Sequence, residues 1–138
     1  MTDSMTNQSD IQPVSARATV QRYLDVLYNQ RRLDLIPELI ADPTWRHKAG
    51  EVKSLTMAET VKRLEDTLAL CPVLHFESVM LAATDKIVTV AWNGRSTQTN
   101  GKSYVYCGIE VFHVEDGKIV EIWNSRETSG HWHAPKTL

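Results

Sequence analysis

The chain has 138 residues, of which 15 are Lys or Arg and 17 are Asp or Glu, so its formal net charge is -2. This length is enough for one domain with a hydrophobic core and too short for two. The slightly acidic balance leaves no basic surplus for binding nucleic acid or an anionic membrane. We therefore expect one domain over residues 14–128, with a disordered tail at 1–13 and a second tail at 129–138.

The cysteines and the apolar runs of the sequence indicate the cellular compartment. No apolar run is long enough to cross a bilayer, and the polar N-terminal segment has no signal-peptide pattern. Cys71 and Cys107 lack CxxC spacing, and two cysteines are too few for a disulfide scaffold. These features predict a cytoplasmic protein with reduced thiols.

The first part of the chain predicts helices. Ser15 is a candidate N-cap for a helix that runs to about Gln30, because apolar residues recur there at helical spacing. A second, short helix is expected over 33–40, and 44–48 is expected to be a short strand or a loop. A capping box from Thr56 to Glu59 predicts a third helix that ends before Pro72.

The second part of the chain changes to the alternating pattern of strands. Four strands are expected over 75–81, 87–98, 104–114 and 118–126. Helices followed by a four-stranded antiparallel meander are typical of an α+β fold in which the helices cover one face of the sheet. A curved sheet closed in this way forms a cone-shaped α+β barrel, and a ligand pocket is expected at its mouth.

The strand 104–114 carries the first candidate site residue. Its side chains are largely apolar on both faces, yet Glu110 lies among them. Burying a carboxylate without a partner costs roughly several kcal/mol, so this position calls for a specific role or a specific partner.

The turns on either side predict which residues share the Glu110 face. Asn100-Gly101 predicts a two-residue turn that places Asn93 and Arg95 on that face. The next turn is ambiguous: a two-residue Asp-Gly loop puts Trp123 beside Glu110, whereas a three-residue loop puts Ile122 there. We favour the three-residue loop, because it adds apolar residues and an amide to this face. The predicted lining is Asn93, Arg95, Tyr106, Phe112, Ile122 and Asn124, with Trp45 as a further wall.

The segment 108–124 resembles the final hairpin of the nuclear transport factor 2-like superfamily, specifically its SnoaL-like branch. This branch includes polyketide cyclases, ketosteroid isomerase and limonene epoxide hydrolase, and the resemblance covers about 16–127. Such motifs specify the fold better than the reaction. Compared with ketosteroid isomerase, the resemblance implies an oxyanion donor at Tyr23, a base at His47 and a protonated carboxyl at Glu110.

Comparison with the epoxide hydrolase implies other roles. Trp45 and His47 fall at its water-positioning residues, and Asn93 and Asn124 fall near its two catalytic aspartates. An amide is not a general acid or base, so epoxide opening is not expected. The His-Trp-Asp pattern of many SnoaL-like cyclases is also replaced here, by Ile-Trp-Asn at 122–124.

The leading hypothesis is a cofactor-free enzyme that removes a proton from a hydrophobic, ring-containing small molecule. His47 is the predicted base, because its unperturbed pKa near 6.5 suits this work. Glu110 either orients His47 or donates a hydrogen bond, and the alternative is a buried ion pair with Arg95. Tyr23 is either an oxyanion donor or a core residue. Isomerase, cyclase and lyase reactions all follow from this first step.

The second hypothesis is a non-catalytic domain that binds a small ligand or dimerises, and the missing aspartates favour it. No metal is expected, since His113, His131 and His133 lack further ligands at suitable spacing. The face opposite Glu110 is apolar and includes Val105 and Ile109, which predicts a homodimer through the outer face of the sheet.

Overall fold

The structure is a computed structural model that describes residues 14–138. The predicted disordered segment 1–13 lies outside the described residues. The helical elements are α1 (Ala16–Arg22) with a π-helical turn (Tyr23–Tyr28), a 3-10 turn (Leu33–Leu35), α2 (Ile36–Leu39) and α3 (Met57–Leu70). The strands are β1 (Ile40–Lys48), β2 (Glu51–Leu55), β3 (Val73–Ala83), β4 (Ile87–Thr97), β5 (Ser103–Glu115), β6 (Lys118–Asn124) and β7 (Thr128–Ser129).

The two predicted helix caps are confirmed. The Ser15 side chain accepts a hydrogen bond from the Ala18 backbone N–H at 3.1 Å, so it caps α1. At α3, the Glu59 backbone N–H donates to the Thr56 hydroxyl, and the Thr56 backbone N–H donates to the Glu59 carboxylate. The reciprocal pair satisfies two N–H groups that the first turn leaves without helical partners.

One mixed sheet organises the chain, in the strand order β2-β1-β6-β5-β4-β3, with β7 added beside β5. The predicted antiparallel meander from β3 to β6 is present. In addition, β1 pairs with β6 in parallel and with β2 in an antiparallel hairpin. The sheet and the helices together form the expected α+β cone. The core lies between the inner face of the sheet and the helices, and its fully buried members include Val20, Tyr23, Leu27, Ile36, Leu64, Val88, Val90, Phe112, Ile119 and Ile122.

The β4–β5 turn differs from the prediction by one residue. Gln98 pairs with Lys102 across a three-residue loop, in which Gly101 has a φ of 83°. The predicted two-residue turn is therefore wrong, and Glu110 lies opposite Val90. A shift of one residue reverses the face of every side chain in the strand. As a result, Asn93 and Arg95 lie on the outer face, away from Glu110.

The β5–β6 turn also differs from the favoured form. Asp116 and Gly117 have φ values of 51° and 77°, so they form a two-residue loop rather than the three-residue loop. A β-bulge then shifts the register, so that Glu110 pairs with Asn124 and Phe112 pairs with Ile122. Ile122 and Asn124 lie on the Glu110 face as predicted, but the predicted position of Ile122 directly beside Glu110 is wrong, because the bulge places Asn124 there.

The C-terminal tail lies on the outer face of the sheet. The Trp132 backbone N–H donates to the Asn93 side-chain oxygen at 2.7 Å, and the Asn93 amide donates to the Trp132 carbonyl at 3.0 Å. Nε2 of His131 lies 2.9 Å from the Gly94 carbonyl. None of the helices within residues 14–138 is long and apolar enough to cross a membrane. In this same part of the chain, no three His, Cys, Asp or Glu side chains are grouped as a metal site.

Candidate functional site

Glu110 is the centre of a polar cluster inside the cone. Its side chain points inward between β4 and β6, and only 9% of the residue is exposed. Burial raises the pKa of the Glu110 carboxyl, and nearby Glu127 adds to this. The Arg46 and Arg63 guanidiniums act in the opposite direction, but the net shift of the pKa is upward. The carboxyl is therefore more readily protonated than an exposed glutamate.

Asn124 connects Glu110 to Arg46. A guanidinium has only donors, so the Asn124 side-chain oxygen faces Arg46 and accepts from Nη2 at 2.9 Å. The Asn124 NH₂ group then donates to Oε2 of Glu110 at 2.5 Å. The amide thus orients the carboxyl and occupies one of its two oxygens.

A second chain of hydrogen bonds runs through two tyrosines. The π-helical turn, marked by the Asn29 N–H bonded to the Leu24 carbonyl, brings the Tyr23 and Tyr28 side chains together. The Tyr23 hydroxyl donates to the Tyr28 hydroxyl at 3.4 Å, and Nη1 of Arg63 donates to the Tyr28 hydroxyl at 3.2 Å. Tyr28 therefore accepts two hydrogen bonds, one of them from a cation.

The two tyrosines differ in acidity. Burial raises the pKa of Tyr23, and neighbouring Tyr28 raises it further. Burial alone also raises the pKa of Tyr28, but the Arg63 and Arg46 guanidiniums and the Tyr23 hydrogen bond outweigh it. The net pKa of Tyr28 is therefore below its ordinary value. Tyr28 is the phenol of the pair that ionises first.

Both arginines come from elements at the mouth of the cone. In β1 the alternation of side chains turns Arg46 inward, and its partner in β2 is Lys53. Arg63 lies on α3, one turn after buried Thr60 and beside buried Leu64. Within residues 14–138, no carboxylate lies at ion-pair distance from Arg46 or Arg63.

Three cavities lie in this region, and the arginines line two of them. The mouth cavity, of about 160 Å³, is lined by Arg46, Lys48, Glu51, Lys53, Leu55 and Arg63. An adjoining outer cavity of about 420 Å³ shares Lys48 and Glu51 with it and reaches Asn124. A deep cavity of only about 10 Å³ touches Tyr23, Arg46, Thr60 and Arg63. The hydroxyl of Thr60 is buried there without a hydrogen-bond partner among the described residues.

His47 does not reach this cluster. Since Arg46 points inward, His47 points to the outer face of the sheet, where its ring stacks on Trp123 at a centroid distance of 4.9 Å. Its Nε2 atom lies 2.5 Å from Oε2 of Glu121. The prediction that Glu110 orients His47 is therefore wrong, because the carboxylate beside His47 is Glu121. Trp45 is on the same outer face and is 46% exposed.

Asn93 and Arg95 are also separated from Glu110. Asn93 binds the backbone of the C-terminal tail, and Arg95 is paired with Val105 on the outer face. The alternative of a Glu110–Arg95 ion pair is therefore wrong. The guanidiniums that influence Glu110 belong instead to Arg46 and Arg63.

The remaining predicted residues lie on the inner side of the sheet. Phe112 and Ile122 are completely buried in the core, and the Phe112 ring packs edge-on against Tyr23. Tyr106 is half-buried in an aromatic cluster with Phe76 and Trp92. It also lines a cavity of about 350 Å³, which includes Tyr104, Ser96 and Glu127.

Three residues of the cluster were not predicted from the sequence, namely Arg46, Arg63 and Tyr28. Arg63 had a usable signal, because it follows Thr60 and precedes Leu64 on the buried stripe of a capped helix. Tyr28 lies on the same apolar stripe as Tyr23. No sequence signal identified Arg46, because the alternating pattern of a strand does not show which of its two faces is buried.

Comparisons with known proteins agree with this fold. The family model described as SnoaL-like domain matches residues 20–122. A SnoaL-like polyketide cyclase from Agrobacterium tumefaciens has a TM-score of 0.71 at 19% identity, covering 83% of this chain and 92% of that one. An NTF2-like protein from Exiguobacterium has a TM-score of 0.66 at 17% identity, covering 77% of this chain and 95% of that one.

An LEH-like epoxide hydrolase from M. tuberculosis has a TM-score of 0.64 at 15% identity, covering 78% of each chain. No curated protein sequence matches the chain. The structural similarities establish the cone fold, and the family model covers well over half of the sequence. This chain therefore belongs to the SnoaL-like domain family.

Proposed function

We propose that the protein is an enzyme that transfers a proton on a small molecule bound in the cone, with Glu110 as the acid–base group. The observation that carries this proposal is the buried Glu110 carboxyl, whose pKa is raised and which Asn124 holds in place. A raised pKa brings a carboxyl closer to neutral pH, where it both accepts and donates protons effectively.

The hydrogen bond from Asn124 distinguishes the two carboxyl oxygens. Oε2 is occupied by the Asn124 amide, so Oε1 is the oxygen left to exchange a proton with a ligand. In the first step, the ionised carboxyl takes a proton from a carbon or a hydroxyl of the substrate. The same proton then returns to another atom or to the leaving oxygen, so no external oxidant or reductant is required.

The tyrosine pair and the arginines supply stabilisation for the developing negative charge. Tyr28, with its lowered pKa, is a strong hydrogen-bond donor to an enolate or a phenolate, and Arg63 adds a positive charge beside it. In this proposal Tyr23 acts through Tyr28, to whose hydroxyl it donates, and not as the direct oxyanion donor that the resemblance implies. Arg46 is fixed by Asn124 on the other side of the cluster.

Isomerisation, cyclisation and elimination each begin with such a proton transfer, and none of them needs a cofactor. The structural relatives include a protein described as a polyketide cyclase and one described as an epoxide hydrolase. Together with Tyr106, which lines the cavity of about 350 Å³, they support a hydrophobic, ring-containing substrate.

The test compares the wild-type protein with Glu110→Gln in a metabolite extract made up in deuterated water. Glutamine keeps the size of the side chain and an oxygen for the Asn124 amide, but its amide is not a general acid or base near neutral pH. We expect a compound that changes mass or takes up deuterium with the wild-type protein and not with Glu110→Gln. His47→Ala is the matched control and should behave as the wild type. Full exchange by folded Glu110→Gln would refute the proposal.

A non-catalytic ligand-binding domain is the second candidate. Asn124 favours it, because the resemblance to the epoxide hydrolase implies a catalytic aspartate near this position and an amide is not a general acid or base. The same extract separates the two functions. A compound that the wild-type protein retains and that returns unaltered after denaturation would identify a binding protein.

We also propose that the protein is a homodimer in the cytoplasm. Val105 and Ile109 on the outer face are 54% and 39% exposed, and this supports a homodimer through that face. Sedimentation equilibrium of the wild-type protein, and of a variant with Ile109→Lys, tests this. Both cysteines are free thiols, which supports a reducing cytoplasm.

A further inference from the structure

Arg46 and Arg63 are placed to contact a ligand directly, beyond the stabilisation that they give to the proposed proton transfer. Both guanidiniums line the mouth cavity, and both also reach the deep cavity behind it. No carboxylate in the described part of the chain forms an ion pair with either of them. Removing a charge from water is costly unless an opposite charge compensates for it. Two such cations at one cavity therefore indicate an anionic ligand.

We propose that Arg46 and Arg63 bind a carboxylate group of a compact, apolar small molecule at the mouth of the cone. The inference rests on the proposed function in one respect, namely that the ligand of the cone is the substrate. The binding itself is measurable without turnover.

The hydrogen bonds already made by the arginines leave donors for a ligand. Each guanidinium has five N–H donors in a planar fork that matches a carboxylate. Arg46 gives one of them to the Asn124 oxygen, and Arg63 gives one to the Tyr28 hydroxyl. These neutral partners orient the guanidiniums without neutralising them.

The surrounding charges also favour an anion. The antiparallel register of β1 and β2 brings Arg46, Lys48 and Lys53 onto the same inner face. Lys53 is compensated by Glu51 at 3.1 Å, whereas Lys48 has no ion-pair partner among residues 14–138. Cations gathered in a concave site raise the local concentration of an anionic ligand and speed its association.

The size and the walls of the cavity indicate which anion it takes. A volume of about 160 Å³ is smaller than the ~300–1,000 Å³ of pockets for drug-sized ligands, so a single ring with a carboxylate fits better than a polycyclic compound. Leu55 supplies an apolar wall. A planar carboxylate takes up less of this volume than a tetrahedral phosphate, and its single charge costs less to bring against the apolar wall.

Binding measurements with three single-ring probes test the inference. Isothermal titration calorimetry would compare benzoate, its neutral counterpart benzamide and phenyl phosphate on the full chain. For the wild-type protein we expect benzoate to bind at least tenfold more tightly than benzamide and more tightly than phenyl phosphate. Equal binding of benzoate and benzamide, tighter binding of phenyl phosphate, or no binding of benzoate would overturn the inference.

Variants assign the effect to the two arginines. Arg63→Gln and Arg46→Gln should each weaken benzoate binding at least tenfold and leave benzamide binding unchanged. Lys62→Gln is the matched control, because Lys62 precedes Arg63 on α3, is exposed and pairs with Asp66. If a glutamine variant does not fold, Arg46→Lys and Arg63→Lys keep the charge but lose the fork, and each should weaken benzoate binding several-fold. Unchanged benzoate binding in folded variants at both positions would overturn the inference.

Glu110→Gln separates this inference from the proposed function. The variant should lose proton transfer and keep its binding of benzoate. If the wild-type protein exchanges deuterium in the extract but does not bind benzoate, only the carboxylate inference fails. If benzoate binds through the arginines and Glu110→Gln still exchanges deuterium, only the role of Glu110 fails.

Discussion

Tyr28→Phe removes the hydroxyl that connects Arg63 to Tyr23, and its effect is calculable from the contacts. The hydrogen bond from Arg63 is charge-assisted and contributes about 1.5–3 kcal/mol, while a buried Tyr23 hydroxyl left without its acceptor costs about 1–3 kcal/mol. We therefore expect Tyr28→Phe to lower the free energy of unfolding by about 3 kcal/mol. The phenyl ring keeps its edge-on contacts with Tyr23 and Phe76, so packing is unchanged.

Tyr23→Phe is the matched control for this prediction. Its hydroxyl makes only one long, neutral hydrogen bond, at 3.4 Å, and Tyr28 still accepts from Arg63 after the change. A neutral hydrogen bond contributes about 1 kcal/mol, and a long one contributes less. The two substitutions remove the same atom, yet Tyr28→Phe should be more costly by about 2 kcal/mol.

Urea unfolding followed by circular dichroism measures both values, provided that the slope with denaturant stays the same. A spectrophotometric titration of tyrosinate adds an independent test. The lowest tyrosine pKa should be present in the wild type and in Tyr23→Phe and absent in Tyr28→Phe, because the Arg63 and Arg46 charges act on Tyr28. Equal losses of stability in the two variants, or a low pKa that survives in Tyr28→Phe, would refute the described network.

Three further predictions test other parts of the site. The raised pKa of Glu110 means that the folded state holds the carboxyl proton more tightly than the unfolded state does. The free energy of unfolding therefore falls as the pH rises from the unfolded pKa near 4.5 to the folded pKa. The loss is about 1.4 kcal/mol for each pH unit between these two pKa values. Urea unfolding between pH 4 and 8 should show this loss relative to Glu110→Gln, and parallel profiles would contradict it. Gly108→Ala should lower the free energy of unfolding by about 1–3 kcal/mol, because a Cβ atom would lie 2.6 Å from the Trp92 ring. A thermal or urea melt measures this loss, and unchanged stability would show that the ring is free to move. His47→Ala should keep full deuterium exchange because the imidazole lies on the outer face with Glu121, and loss of exchange in the folded variant would return His47 to the reaction.

Several local features were predictable because neighbouring residues decide them. The Ser15 cap and the Thr56–Glu59 capping box satisfy N–H groups within one turn of the chain, so their sequence signals suffice. The alternating pattern of the later strands likewise predicted the antiparallel meander. Glu110 was recognisable for a similar reason, since a single carboxylate stood on a strand with two apolar faces.

Register was only partly predictable. At Asn100-Gly101, the sequence is compatible with a two-residue or a three-residue loop, and Gly101 adopts the left-handed conformation of the longer one. At Asp116-Gly117 the shorter loop forms, and a bulge further along β6 compensates for it. A difference of one residue in either loop moves every side chain of the strand to the opposite face of the sheet. A small error in the predicted turn therefore changes the predicted site residues.

The sequence by itself determined the fold family, the order of the helices and meander strands, and the buried position of Glu110. Only the tertiary structure decided which charged side chains surround that carboxyl. Arg46 faces inward and His47 outward because β1 pairs in parallel with β6, more than seventy residues later in the chain, and the helices cover one face of the resulting sheet. Alternation within a strand defines two faces, but packing against the helices selects the face that is buried, and no local pattern contains that choice.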